Sequence, residues 1–195
     1  MQDRPILEEI RKKLKAFPRH VEPPGAHDPA AVALTLLNSE NGIEVLFTKR
    51  TDDVEHHKGE ISFPGGRMDP GDASLTDAAL RETWEEVGIE PHELEVLGYM
   101  DDRISISGYL VTPVVVYLER ENYPLKPQPR EVDEIIRVPL SHLVNPDNYR
   151  LDTSTYPGMA IHRFTWEQHE IWGLTGAIMN QFLELVFNFP SSEVG

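Results

Sequence analysis

The chain has 195 residues, a formal net charge of −15, 39% hydrophobic residues and no cysteine. That length supports one well-buried core; the hydrophobic content and three tryptophans exclude a disordered polymer, and the lack of cysteine excludes disulfides and thiolate metal sites. The acidic balance opposes a nucleic-acid backbone or an anionic membrane as partner, and no apolar run is long enough to span a bilayer.

The first fifteen residues lack the apolar core of a signal peptide, so the cytoplasm is the expected compartment. Ile6, Leu7, Ile10 and Leu14 recur with helical spacing and predict a helix over residues 5–16. The proline-rich stretch 17–29 reads as an extended linker lying on the surface. Residues 31–37 and 43–49 are apolar, β-prone runs joined by turn residues ending in Asn41-Gly42, which predicts a hairpin. Residues 51–58 are charged and irregular. A short strand is expected over 60–63, running into Pro64-Gly65-Gly66, and Pro70-Gly71 marks a turn.

Ser74 or Thr76 can cap a helix that runs to about Val87 and stops at Gly88. Leu80, Trp84 and Val87 form its expected apolar stripe, with the glutamates roughly opposite and facing a cleft. Further strands are expected over residues 94–100, 110–118, 135–140 and 161–166, a short helix over 141–144, and an apolar helix over 171–187. No internal repeat is visible. The pattern predicts one α/β domain over residues 30–190, a mixed sheet between helices, with residues 1–29 packed on it as helix and linker.

Glu82, Glu85 and Glu86 are spaced i, i+3 and i+4, so a helix brings their carboxylates together. Solvated helices usually relieve such repulsion with lysines one turn away; three glutamates without them call for a cation. Hard oxygen ligands suit Mg²⁺ or Mn²⁺, which in turn hold phosphate groups. An anionic substrate of so acidic a chain needs basic side chains close by, and Lys49, Arg50 and Arg67 are the candidates. Other chemistries have little support. His162 and His169 are isolated and no histidine pair has zinc spacing, Gly65-Gly66 is too short for a P-loop, and no G-x-S-x-G elbow occurs.

Residues 81–89, R-E-T-W-E-E-V-G-I, resemble the second half of the Nudix box, G-x5-E-x7-R-E-U-x-E-E-x-G-U. Every charged and glycine position matches, and Thr83 stands where an apolar residue is usual. Counting back from Arg81, the first half is one residue longer than the standard box; Gly66 takes the glycine position and Asp72 the acidic one. Residues 46–66 further resemble the signature of the coenzyme A diphosphatase branch, roughly L-L-T-x-R-S/A-x3-R-x3-G-x3-F-P-G-G. Leu46, Thr48, Arg50, Gly59, Phe63, Pro64, Gly65 and Gly66 match it, whereas Glu55 replaces an arginine. The run I-W-G-L-T at 171–175 is also similar to that branch, so the resemblance spans most of residues 30–185.

The resemblance implies the Nudix α/β/α sandwich with a mixed β-sheet. It also implies hydrolysis, dependent on Mg²⁺ or Mn²⁺, of the diphosphate of coenzyme A or its derivatives to 3′,5′-ADP and 4′-phosphopantetheine products. Glu82, Glu85, Glu86 and the Gly66 carbonyl would be the metal ligands. Arg81 would steady the glutamates, a role suited to a bidentate guanidinium. Glu82, Glu85 or an acid outside the box would be the base; Glu131 and Glu134 lie where many members place such a carboxylate. The implied partner is a small nucleoside diphosphate derivative, and pairing into a homodimer is common in this fold. Two alternatives remain: another diphosphate substrate such as ADP-ribose or NADH, kept open by Glu55, and a non-catalytic nucleotide-binding module, against which the intact glutamate set argues.

Overall fold

The computed structural model describes residues 4–23, 25, 27–51, 59–156 and 158–190. In chain order its elements are α1 (Arg4–Ala16), β1 (Asp28–Ser39), β2 (Gly42–Arg50), β3 (Ile61–Ser62), β4 (Gly65–Arg67), α2 (Leu75–Val87), β5 (Leu94–Tyr99), β6 (Arg103–Ile104), β7 (Tyr109–Leu118), β8 (Val132–Pro139), α3 (Leu140–Leu143), β9 (Tyr149–Asp152), β10 (Ile161–Trp166), β11 (His169–Ile171) and α4 (Gly173–Phe187). Among the described residues no helix is long and apolar enough to cross a membrane.

The large sheet is mixed, as expected for this α/β chain. Strand β1 runs parallel to β7 over its whole apolar length, from Asp28↔Tyr109 to Leu37↔Leu118. On its other side β1 has two antiparallel neighbours in succession. Its first half pairs with β4 (Val32↔Gly65) and its second half with β2 (Thr35↔Leu46). Beyond that point β2 leaves β1, continues beside β8 and picks up the short β3. The sheet therefore forks, and the segment from β3 to β4 fills the fork. Ladder-like bonds from Ala33 N to Pro64 O and from Met68 N to Pro29 O fasten β4 into it.

Side chains alternate across the central strands. On β1, Ala31, Ala33 and Leu37 pack with Ala78, Ala79 and Val87 of α2, whereas Leu34 and Leu36 face α1 and α4. On β7, Val114, Val116 and Leu118 join the first group, and Val115 and Tyr117 the second. Both faces are covered, which is why these strands are apolar throughout rather than at every second residue. Pro113 falls where the edge partner changes from β5 to β6, a break that tolerates a strand proline.

Several expectations shift. Ile171 ends β11, and the last helix starts at Gly173; a short apolar run before a helix does not reveal by periodicity where the strand stops. A separate three-stranded sheet, β11-β10-β9, was not predicted, because Tyr149–Asp152 and His169–Ile171 are too short and polar to signal a strand. The linker is more than surface chain. Arg19 pairs with buried Asp102, and Phe17 packs against the core. The charged run 52–58, with Glu55, lies outside the described residues.

Gly65 lies where β4 presses on β1: a Cβ there would collide with the Ala31 carbonyl and the Val32 backbone. Gly71, in the turn before α2, has open space around it. Urea unfolding should therefore show Gly65→Ala losing about 2 kcal/mol or more, the cost of overpacking against backbone. Gly71→Ala should stay within about 0.5 kcal/mol of the parent.

Candidate active site

Helix α2 begins at an N-cap, Ser74, whose Oγ accepts from Asp77 N at 3.2 Å, and ends at Gly88 in the left-handed region (φ 76°), as its residue types predicted. Its buried arc differs from the expected stripe. Ala78, Ala79, Thr83, Glu86 and Val87 face inward, and Trp84 is 48% exposed. Small residues at 78, 79 and 83 let the helix lie close on the sheet, which leaves no room for an indole. Thr83, unusual at an apolar position, satisfies its hydroxyl by donating to the Ala79 carbonyl at 2.7 Å.

This rotation separates the three glutamates instead of placing them all in a cleft. Glu85 is exposed, Glu82 is half-buried, and Glu86 is 3% exposed. Glu86 is held at the fork of the sheet: Gly65 N donates to its Oε1 at 3.2 Å and Thr48 Oγ1 to its Oε2 at 3.0 Å. Burial pushes its carboxyl up to about 7 despite these two bonds. Burial likewise raises Glu82, against the opposing pull of Arg81.

Arg81 binds them from outside. Its Nε and Nη2 each donate to Asp72 at 3.0 Å, Nη1 donates to Glu82 at 2.8 Å and to Glu85 at 3.2 Å, and Nη2 also reaches the Arg67 carbonyl. The bidentate bond from Arg81 holds the Asp72 carboxyl below its ordinary range, and the carboxylates raise the guanidinium in turn. The extra residue in the first half of the motif thus still delivers Asp72 to Arg81. The cation between Glu82 and Glu85 is this arginine.

Among the described residues no three acidic or histidine side chains already converge as a metal cage. Arg81 draws Glu82 and Glu85 to itself, and Thr48 and Gly65 hold Glu86. The donor set nevertheless fits a hard divalent cation. It is all oxygen, it contains a desolvated carboxylate that a cation would stabilise, and Glu82 lies so close to Gly66 that a Cβ there would strike its carboxylate. Glu82, Glu85, Glu86 and the Gly66 carbonyl are the groups that would hold the ion.

A cavity of about 890 Å³ opens beside Gly65 and Gly66. Arg50, Arg67 and Glu131 line it. Among the described residues the buried Arg50 Nε has no hydrogen-bond partner. Arg67 is exposed, 3.7 Å from Asp28 and over the Tyr109 ring at 5.9 Å. Lys49, a substrate-binding candidate from sequence, is not in the lining; its Nζ donates to Asp133 at 3.0 Å, because it alternates with Arg50 along β2. Glu134 also lies apart, 3.3 Å from His169. His162 bonds Tyr149 at 2.9 Å. Trp172 to Thr175, marked by resemblance, do line the cavity, as do Ser105, Ile106 and Tyr109, which nothing in the sequence signalled.

A NUDIX domain matches residues 26–157. An uncharacterised Nudix hydrolase, NudL, of Photorhabdus laumondii is 40% identical over 144 residues, 73% of this chain and 76% of that protein. The peroxisomal coenzyme A diphosphatase NUDT7 of Mus musculus is 36% identical over 142 residues, 72% of this chain; the match spans 60% of the mouse protein's length. Among solved structures, a MutT/nudix family protein from Enterococcus faecalis shares the fold, with a TM-score of 0.52 and 16% identity over 93% of this chain and 72% of that one.

The buried carboxylate makes stability depend on pH when no divalent ion is bound. Its pKa is raised in the fold from 4.5 to about 7, so its protonated form contributes stability that is complete below the unfolded value and lost as pH rises through the folded one. The loss is about 3 kcal/mol. Glu86→Gln keeps both hydrogen bonds, accepting from Gly65 and donating to Thr48. In EDTA the variant should therefore match the parent at about pH 4 and exceed it in unfolding free energy by about 3 kcal/mol near pH 8. Parallel curves from urea titrations at the two pH values would refute the assignment.

Proposed function

The chain belongs to the Nudix hydrolases, which act on pyrophosphate bonds and generally need divalent ions, and on that premise we propose that it cleaves the diphosphate of coenzyme A or its derivatives. The observation that carries this reading is the run 46–66 together with what it does in the fold. Thr48 and Gly65 are the two residues that hold Glu86, and Arg50 lines the cavity, its buried Nε without a hydrogen-bond partner among the described residues. The mouse relative, named as a coenzyme A diphosphatase, supports the same substrate. The products would be 3′,5′-ADP and 4′-phosphopantetheine or its derivative.

A diphosphate resists hydrolysis because its oxygens repel the nucleophile, and bound Mg²⁺ or Mn²⁺ would supply neutralisation of that charge and acidification of water. The chain's own groups do the rest. Arg81, fixed by Asp72, orients Glu82 and Glu85. Arg50 and Arg67 bind phosphate oxygens from the cavity wall, and Gly66 brings backbone oxygen to the site without a side chain in the way. The water proton goes to Glu82 or Glu85, the two carboxylates of the motif that are not enclosed.

One feature favours a second reading. Glu55 stands where the branch signature has arginine, which weakens anion recognition and favours ADP-ribose. Product analysis with coenzyme A, ADP-ribose and NADH at matched Mg²⁺ separates the two: 3′,5′-ADP from coenzyme A as the dominant product supports the proposal, and faster ADP-ribose cleavage overturns it. Glu86→Gln should lose about a hundredfold or more in kcat while keeping a cooperative thermal transition; near-parental turnover would count against the site.

A further inference from the structure

The small sheet β9–β11 contributes nothing to the acidic motif, yet the chain leaving it stands in the cavity wall. Strand β11 stops at Ile171, and the next residue, Trp172, lines the cavity that Gly65 and Gly66 also line. Trp172 keeps an extended backbone (φ −148°, ψ −171°) before Gly173 turns the chain into α4 at φ 64°. Its side chain makes no capping bond to that helix. What holds the ring comes from the neighbouring strand.

Strand register explains the contact. Phe164 of β10 pairs with Ile171 of β11, and both are buried in the core. Side chains alternate across a sheet, and extended Trp172 continues β11 by one residue, so Arg163 and Trp172 meet on the opposite face. The Arg163 guanidinium lies 5.3 Å over the indole ring. A guanidinium stays charged at any working pH, and its flat face suits an aromatic ring.

Arg163 is itself fixed. Its Nε donates to Asp152 at 2.9 Å and its Nη1 to Glu170 at 2.6 Å, and its side chain is 11% exposed. Neither acid depends on it. Asp152 also accepts from Ser154 N at 2.9 Å, Ser154 Oγ at 2.8 Å and Thr155 N at 3.1 Å, and Glu170 accepts from Arg150 at 3.4 Å. Removing the Arg163 charge therefore leaves both carboxylates with partners. Among the described residues no second cation lies over Trp172.

From this register and these bonds we infer that Arg163 is a positioning residue for substrate binding, holding the Trp172 ring in the cavity wall while Asp152 and Glu170 hold Arg163. The small sheet is the mount of that part of the wall. The inference rests on the reading of this cavity as the site of diphosphate hydrolysis, and not on which diphosphate is cleaved. An indole without its cation has to be ordered each time substrate binds, and that cost falls on KM rather than kcat.

The test is a double-mutant cycle on Arg163→Met, which removes the charge, and Trp172→Leu. It is read as kcat and KM for coenzyme A and for ADP-ribose at matched Mg²⁺. Arg163→Met should raise KM about fivefold, the scale of one shielded cation–aromatic contact, with kcat within about twofold and a cooperative thermal transition. Arg163→Lys, which keeps a cation, should recover part of the loss. Added to Trp172→Leu, Arg163→Met should raise KM by less than about 1.5-fold further. An unchanged KM in folded Arg163→Met overturns the inference, as does an equal rise with and without Trp172, since Arg163 would then act by another route. Should Arg163→Met fail to fold, the cycle runs on Arg163→Lys, whose smaller rise must equally vanish without Trp172. Cleavage of ADP-ribose but not of coenzyme A overturns the substrate proposed above, and the same ratios on ADP-ribose then decide the role of Arg163. Cleavage of neither compound overturns both.

Discussion

A buried carboxylate at the fork of a sheet organises this molecule. Glu86 comes from α2, its Thr48 partner from β2 and its Gly65 partner from the start of β4, so one side chain ties together three elements distant in sequence. Two hydrogen bonds do not repay the loss of water around a charge, which is why its proton affinity rises. The fork needs Gly65 for backbone contact, and Gly66 makes way for Glu82; two adjacent glycines thereby serve strand packing and site geometry in turn.

Outside this buried centre, Arg81 works as a clamp. Its guanidinium spends one edge on Asp72 and the other on Glu82 and Glu85, so the loop before α2 is tied to the helix itself. That arrangement holds like charges at close range by interposing a positive charge. The acidic motif is thus graded from solvent inward: Glu85 is accessible, Glu82 is half-covered, and Glu86 is enclosed.

The cavity extends the same logic. Its lining joins arginine and backbone of the forked strands to residues of the β6–β7 turn and the first turn of α4. Chain segments some seventy residues apart therefore share one cavity wall. The cavity wall of this net-negative protein carries Arg50 and Arg67, a local positive charge set beside Glu60 and Glu131.

Much of this was written in local patterns. Alternation and apolar runs marked β1, β2 and β7; Ser74 and Gly88 bounded α2; and the spacing of Glu82, Glu85 and Glu86 identified the acidic motif, because capping, strand burial and helical spacing act over a few residues. Tertiary structure decided the remainder. Which arc of α2 is buried depends on the small residues that let it approach the sheet, so Trp84 turned outward and Glu86 inward. Lys49 left the site because alternation along β2 can place only one of Lys49 and Arg50 in the cavity. Thr48 acquires meaning only through Glu86, far along the chain, and no local propensity encodes a contact made across a fold.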